Sequence, residues 1–289
     1  MYYIYTMSSI LIAESGATKT DWCILKTGKK PVFFRTSGIN PYLQSNDEIT
    51  TLLKNELPWD KSVYDPDMVS YYGTGAGSKE KQKIMKGVLQ KYFHVKNVEV
   101  EGDLLAAARS LCGDKKGIVC ILGTGSNSCY YNGKKIQEQK PSLGYIAGDE
   151  GSGNHLGKRV LQYYAYGTFD TELKMAFEQK FGNNIPEILN RLYSEPFPNR
   201  YLATFVTLLK DNRGHFMVEN IIEDCLNDFF HHHILKYRQS WNLPLHFTGS
   251  VSYEFRDVLL SLCNQYELEL GKIEASPLEG LLKYYKKIL

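Results

Sequence analysis

Short apolar runs recur along the chain, each closed by a turn rich in glycine and hydroxyl side chains. Ile10-Leu11-Ile12-Ala13 and Ile118-Val119-Cys120-Ile121 both read as buried strands. Each leads into a tight turn, Glu14 to Thr20 in one case and Leu122 to Asn127 in the other, and then into a second strand-like run at Asp21–Leu25 or Ser128–Tyr131. Strand, turn, strand predicts a hairpin whose tip presents backbone N–H groups and hydroxyls. Clustered N–H donors form an anion-binding concavity, and glycine lets a ligand approach the backbone. Two such tips predict two jaws for a polyphosphate.

Around these hairpins the periodicity predicts mixed α/β elements. Strands are expected near 8–14, 20–26, 31–36, 67–73 and 97–100, with helices near 46–56, 78–92 and 103–112. Gly113 to Gly117 reads as a polar linker. The second half opens with strands at 117–122, 127–132 and 135–140 and is mainly helical from Ser152 to about Ser240. It continues with a short strand at Leu245–Phe247, the glycine turn Thr248-Gly249-Ser250, a helix near 252–267 and a strand around Ile273. A last helix from Leu278 to Leu289 has Pro277 at its start. Both halves begin with three strands and pass into α/β elements, which points to a duplicated domain rather than a solenoid. The expected domains are 1–115 and 116–289, with the last helix free to pack back on the first.

Composition narrows the classes. The chain has 289 residues, 43% of them hydrophobic, and a net charge of +2. A core of two domains is affordable at that length, and the charge gives no drive toward nucleic acid. No basic stripe or DNA-binding helix pair is present, so a repressor role is not expected. No run approaches the ~18 apolar residues of a membrane span. Met1 to Tyr5 lacks the basic start and apolar centre of a signal peptide and reads as an extension, with Met7 as an alternative start. Six cysteines without a C-x-x-C pair suggest a reduced, cytoplasmic protein. His231-His232-His233 invites a metal reading, but adjacent helical residues point about 100° apart and do not share an ion, so packing and surface roles are expected.

Three loops in order carry a resemblance. Glu14-x-Gly16-x-Thr18-Lys19-Thr20-Asp21, Leu122-Gly123-Thr124-Gly125-Ser126 and Gly148-Asp149-Glu150-Gly151-Ser152-Gly153 resemble the actin-like sugar-kinase ATPases. They look most like the N-acetylglucosamine kinase branch shared with the BadF/BadG/BcrA/BcrD-type ATPases, from Ile10 to Pro277-Leu278-Glu279-Gly280. The resemblance implies two actin-like (ribonuclease H-like) domains, each with a mixed five-stranded sheet flanked by helices, and a nucleotide and sugar cleft between them. It implies ATP and Mg²⁺ as cofactors and a small-molecule sugar substrate, and leaves a homodimer open.

In that family the first hairpin usually reads Asp-Gly-Gly-x-Thr-Lys-Thr-Asp and holds Mg²⁺ and the terminal phosphates. Here Glu14 and Ser15 replace the first two residues; the longer Glu14 can reach magnesium through a water. Gly16, Thr18, Lys19 and Thr20 are the expected phosphate contacts of one loop, and Gly123, Thr124, Gly125 and Ser126 of the other. Asp103, after a strand and at the start of a small-residue helix, matches the family's catalytic base, with Glu101 as fallback; a plain helix-start acid is the alternative. Asn40, Gly75, Asn127, Asp149 and Glu150 match sugar-facing turns. Asn40 and Asn127 could equally satisfy their own backbone, and the two acids could face a helix dipole. Thr248, Gly249 and Ser250 match the adenosine turn.

The leading expectation is therefore an ATP-dependent amino-sugar kinase, with N-acetylglucosamine phosphorylated at its 6-hydroxyl. Alternatives are a kinase for N-acetylmuramic acid or glucosamine, an activator-type ATPase with a bridging iron–sulfur cluster, and a non-catalytic sugar sensor. Cys225 and Cys263, on amphipathic helices without a shared loop, speak against the cluster.

Overall fold

The computed structural model describes residues 7–16 and 19–289, so the extension before Met7 and the expected phosphate contact Thr18 lie outside the described residues. The chain forms two compact units, one made of the chain up to Asp114 plus Pro277–Leu289, the other of Lys115–Ser276.

The first unit contains β1 (Ser9–Ser15), β2 (Lys19–Lys26), β3 (Val32–Ser37), α1 (Asn46–Glu56), β4 (Met68–Gly73), α2 (Lys79–Phe93), β5 (Asn97–Gly102) and α3 (Asp103–Cys112). Its sheet runs β3-β2-β1-β4-β5, antiparallel in the opening meander and parallel from β1 through β4 to β5. Both faces of β1 are apolar, as a covered parallel strand requires. Leu11 and Ala13 join one core with Trp22, Ile24 and Tyr71, whereas Ile10 and Ile12 join another with Cys23, Leu25 and Tyr72. Helix starts follow local capping chemistry: Ser45 and Glu48 make a reciprocal capping box on α1, and Ser78 caps α2.

The second unit repeats the design. It contains β6 (Lys116–Leu122), β7 (Ser126–Asn132), β8 (Ile136–Gln139), α4 (Gly144–Ala147), α5 (Gly153–Ala165), α6 (Thr171–Phe181), α7 (Ile185–Ser194), α8 (Pro198–Thr204), α9 (Val206–Asp211), α10 (Phe216–His232), β9 (Leu245–Thr248), α11 (Ser250–Glu254), α12 (Arg256–Gln265) and β10 (Leu270–Glu274). Its sheet order, β10-β9-β6-β7-β8, is the first sheet's order in the same topological sense. The helix expected at 252–267 is broken at Phe255, which caps α11 and starts α12 while its ring is fully buried. The mainly helical stretch before β9 consists of six helices, α5 to α10, and two 3₁₀ turns.

The chain then returns to the first unit as α13 (Leu278–Lys286), ending short of the expected Leu289. Leu281, Leu282 and Tyr285 close the core that Ile10 and Ile12 begin. The Tyr285 hydroxyl lies 2.5 Å from both Ser70 Oγ and Tyr72 Oη and donates to Glu99 Oε2 at 3.0 Å. Arg109 of α3 donates to Glu99 Oε1 at 3.0 Å and to Tyr72 Oη, completing a polar network between apolar layers.

Candidate active site

In the first unit the parallel strands β1, β4 and β5 end in register, with Ser15 opposite Gly73 and Gly73 opposite Gly102. Side chains just beyond one row of strand ends are thus gathered, the usual location of ligand sites in such sheets. Thr74 follows β4 and its amide donates to Ser15 O at 3.0 Å. The Thr74 hydroxyl donates to Asp103 Oδ2 at 3.1 Å. Burial pushes the Asp103 carboxyl above the usual range, opposed in part by Thr74 and by the N–H groups of Leu104 and Asp103 itself.

Glu14 shares this edge. Burial, followed by the nearby charges of Asp103 and Asp21, raises its carboxyl to about 7, with Lys19 pulling the other way. Asp21 behaves differently: burial pushes it up, but Lys19 at 2.8 Å and Arg35 at 2.6 Å hold it below the usual range. Lys19 is half exposed, so its ammonium remains accessible beside this acid group. Gly16 donates to Lys19 O at 2.9 Å across the hairpin tip.

Two first-hairpin positions face inward. Thr20 is buried, with its hydroxyl 2.8 Å from Ser15 Oγ and donating to Ser37 O. Ser15 is fully buried and bonds both the amide and the carbonyl of Ile39. The serine that departs from the family pattern thus ties β1 to the turn leading to Asn40. Asn40 Oδ1 accepts from Tyr42 N at 2.9 Å, a turn-stabilising bond, while its amide NH₂ has no partner among the described residues. A Cβ on Gly75 would stand 2.5 Å from Asn40 Oδ1, and Gly75 has φ +87°, so the two turns meet where only glycine fits.

The second unit builds its loop around one carboxylate. Asp149 is buried at φ +59°, and its Oδ2 accepts from Asn154 Nδ2 at 2.7 Å. Its Oδ1 faces Ser126 N at 3.4 Å and Ser142 Oγ at 3.5 Å. Asn154 Nδ2 also donates to Thr124 O at 2.7 Å, and the amides of Gly153 and Asn154 donate to Gly123 O and Thr124 O. The start of α5 therefore straps the loop Gly123-Thr124-Gly125-Ser126 in place. Ser126 Oγ and Asn154 Oδ1 are buried beside it without hydrogen-bond partners among the described residues. Gly249, at φ +119°, abuts the same loop: a Cβ there would meet Leu122 O at 2.3 Å. Thr248 ends β9 opposite Ile121 with its hydroxyl buried and without a hydrogen-bond partner among the described residues, and Ser250 opens α11.

Asn127 Oδ1 accepts from Ser128 N and Gln139 Nε2. Glu150 Oε2 accepts from His233 Nε2 at 3.0 Å. Burial works upward on Glu150, but the hydrogen bond from His233 and its own backbone hold it below the usual range. Thr74, Asn154 and His233 were missed as contributors by sequence reasoning. A threonine and an asparagine in the right loops could have been suspected, but nothing local links His233 to a residue 83 positions away. Of the other histidines in that run, His231 contacts Tyr266 and His232 is exposed.

A crystal structure from Porphyromonas gingivalis, of a protein whose assignment as an N-acetylglucosamine kinase is provisional, is similar over 96% of this chain and 99% of its own, with 42% identity and a TM-score of 0.91. The chain belongs to the N-acetylglucosamine kinase-like branch of the actin-like sugar-kinase superfamily. Fold likeness extends to a similarly assigned Chromobacterium violaceum protein, at 16% identity over 96% of this chain and 99% of that one, TM-score 0.72. It extends also to a Streptomyces griseus ROK family glucokinase in complex with glucose and AMPPNP, at 14% identity over 96% and 98%, TM-score 0.57. No protein-family model and no curated protein matches the chain. The two mixed five-stranded sheets are those of this family's fold. No helix among the described residues is long and apolar enough to cross a membrane.

Proposed function

We propose that the protein is an ATP-dependent kinase of an amino sugar, with N-acetylglucosamine as the substrate and its 6-hydroxyl as the acceptor. The observation that carries this reading is Asp103: a half-buried carboxylate with a raised pKa, at the head of a helix, oriented by Thr74. A base tuned upward toward the working pH is suited to taking a hydroxyl proton. Asp103 accepts the proton of the sugar hydroxyl, whose oxygen attacks the γ-phosphorus while the bond to the β-phosphate oxygen breaks and ADP leaves. Phosphoryl transfer of this kind depends mainly on positioning and charge stabilisation. Backbone N–H groups of both glycine hairpins and the Lys19 ammonium would donate to the phosphates. The Thr248-Gly249-Ser250 turn, beside the second hairpin, would take the adenosine.

The acid group at Glu14 fits a divalent cation, because a carboxyl lifted to about 7 by burial and like charge is relieved by a bound cation. Glu14 would hold Mg²⁺, through water in keeping with that ion's retained hydration, and the ion would supply charge neutralisation at the phosphates. Asn40, Gly75, Asp149 and Glu150 would form the sugar's surroundings. All six cysteines are buried, and burial pushes the Cys23, Cys225 and Cys263 thiols up to about 12, which suits a reducing, cytoplasmic setting.

A coupled ADP-release assay across hexoses and amino sugars tests the proposal. Sugar-dependent release with the highest kcat/KM for N-acetylglucosamine is expected. ATP turnover indifferent to every sugar would overturn it.

A further inference from the structure

We infer that His233 is a positioning residue for the sugar, acting through Glu150; the inference rests on the amino-sugar reading above. The turn Gly148-Asp149-Glu150-Gly151 is held from two sides within the second unit. Asp149 is turned toward the loop Gly123 to Ser126, where its carboxylate accepts from Asn154 and Ser126. Glu150 is turned the other way and meets the end of α10. Gly151 donates its amide to His155 Nδ1 at 3.1 Å and packs so tightly on α10 that a Cβ would fall 2.8 Å from Phe229 Cβ.

His233 sits one turn beyond Phe229, with the two rings stacked at a centroid distance of 4.9 Å. A carboxylate only accepts hydrogen bonds, so the Nε2 facing Glu150 carries the imidazole proton. The opposite nitrogen, Nδ1, is buried without a partner among the described residues. The ring is thus fixed by stacking and has one polar task, to donate to Glu150. The His233 side chain is 6% exposed, whereas that of Glu150 is 23% exposed. One oxygen of Glu150 is anchored from inside and the carboxylate still reaches solvent. Such a pre-oriented acceptor suits a hydroxyl of a sugar ring, whose affinity depends on the carboxylate being held rather than free to rotate.

The test is calorimetric binding of N-acetylglucosamine and, separately, of the ATP analogue AMPPNP, alongside ADP release. His233→Phe, which keeps the stacking, should weaken sugar binding about tenfold, in line with loss of a hydrogen bond to a charged group. AMPPNP binding should not change. His233→Gln, which returns an N–H donor near the same place, should recover most of the loss. Glu150→Gln, at a partly exposed position, should itself weaken sugar binding and make His233→Phe nearly silent when the two are combined. Additive losses, or equal losses for sugar and AMPPNP, overturn the inference. Wild-type protein that binds the sugar without releasing ADP overturns only the kinase reading, since the His233 variants are still judged by binding. Wild-type protein that binds no amino sugar overturns both.

Discussion

The Thr74 hydroxyl donates to the Asp103 carboxylate at 3.1 Å, joining the residue after β4 to the first residue of α3. This bond lowers a pKa that burial raises, so the threonine sets how much of Asp103 is ionised at a given pH. Replacing Thr74 by Val should raise the Asp103 pKa and move the acid limb of the kcat/KM profile to higher pH. A loss of about tenfold at neutral pH is expected, within the range of general-base effects. Asp103→Asn should remove about a thousandfold or more of kcat while leaving the melting temperature and AMPPNP binding near wild type.

Glu14 predicts a pH dependence of stability. Its folded pKa of about 7 lies above the reference 4.5, so the folded protein binds the proton more tightly than the unfolded chain. Stability from this group is therefore full below about 4.5 and is lost as pH rises through about 7. The difference of 7 − 4.5 = 2.5 corresponds to a loss of about 3 kcal/mol. Glu14→Gln should raise the melting temperature at pH 8, leave it unchanged near pH 4, and raise the Mg²⁺ concentration needed for half-maximal turnover.

Asn154 predicts a nucleotide-specific defect. Asn154→Leu removes the two 2.7 Å donations to Thr124 O and Asp149 Oδ2 and leaves the buried Asp149 carboxylate without that donor. A stability loss of about 2–4 kcal/mol is expected, with KM for ATP raised more than KM for the sugar. Urea unfolding and steady-state kinetics measure the two effects.

Gly249 predicts a steric one. Gly249→Ala would place a methyl group 2.3 Å from Leu122 O at a φ that L residues rarely adopt. The turn has to shift away from β6, and AMPPNP affinity should fall at least tenfold, measured by calorimetry, because backbone positioning is lost.

Much of the fold was legible because its signals are local. The alternation of Ile10, Leu11, Ile12 and Ala13 between two cores is visible as an unbroken apolar run, and Ser45 with Glu48 announces α1. Glycine turns marked both hairpin tips for the same reason. The break at Phe255 was not legible, since burial of its ring, not local helix propensity, decides where α11 stops. The candidate site divides the same way. Glu14 and Asp103 were singled out by the family resemblance of their loops, and the fold brings them near enough for the Asp103 charge to raise the Glu14 pKa. The inward-facing hydroxyl of Thr20, the strap made by Asn154 and the His233–Glu150 pair depend on side-chain direction and on residues distant in sequence, which no spacing encodes.

The Tyr285 network carries a consequence for biosynthesis. Ser70, Tyr72 and Glu99 belong to the first unit's opening stretch, yet their shared hydroxyl arrives with α13. While the ribosome is still making the second unit, those three groups lack that partner and Ile10 and Ile12 lack the cover of Leu281. Domains commonly fold in order from the N-terminus as they emerge. Here the first-made half stays incomplete until the last-made helix docks, so the half synthesised second is positioned to mature first.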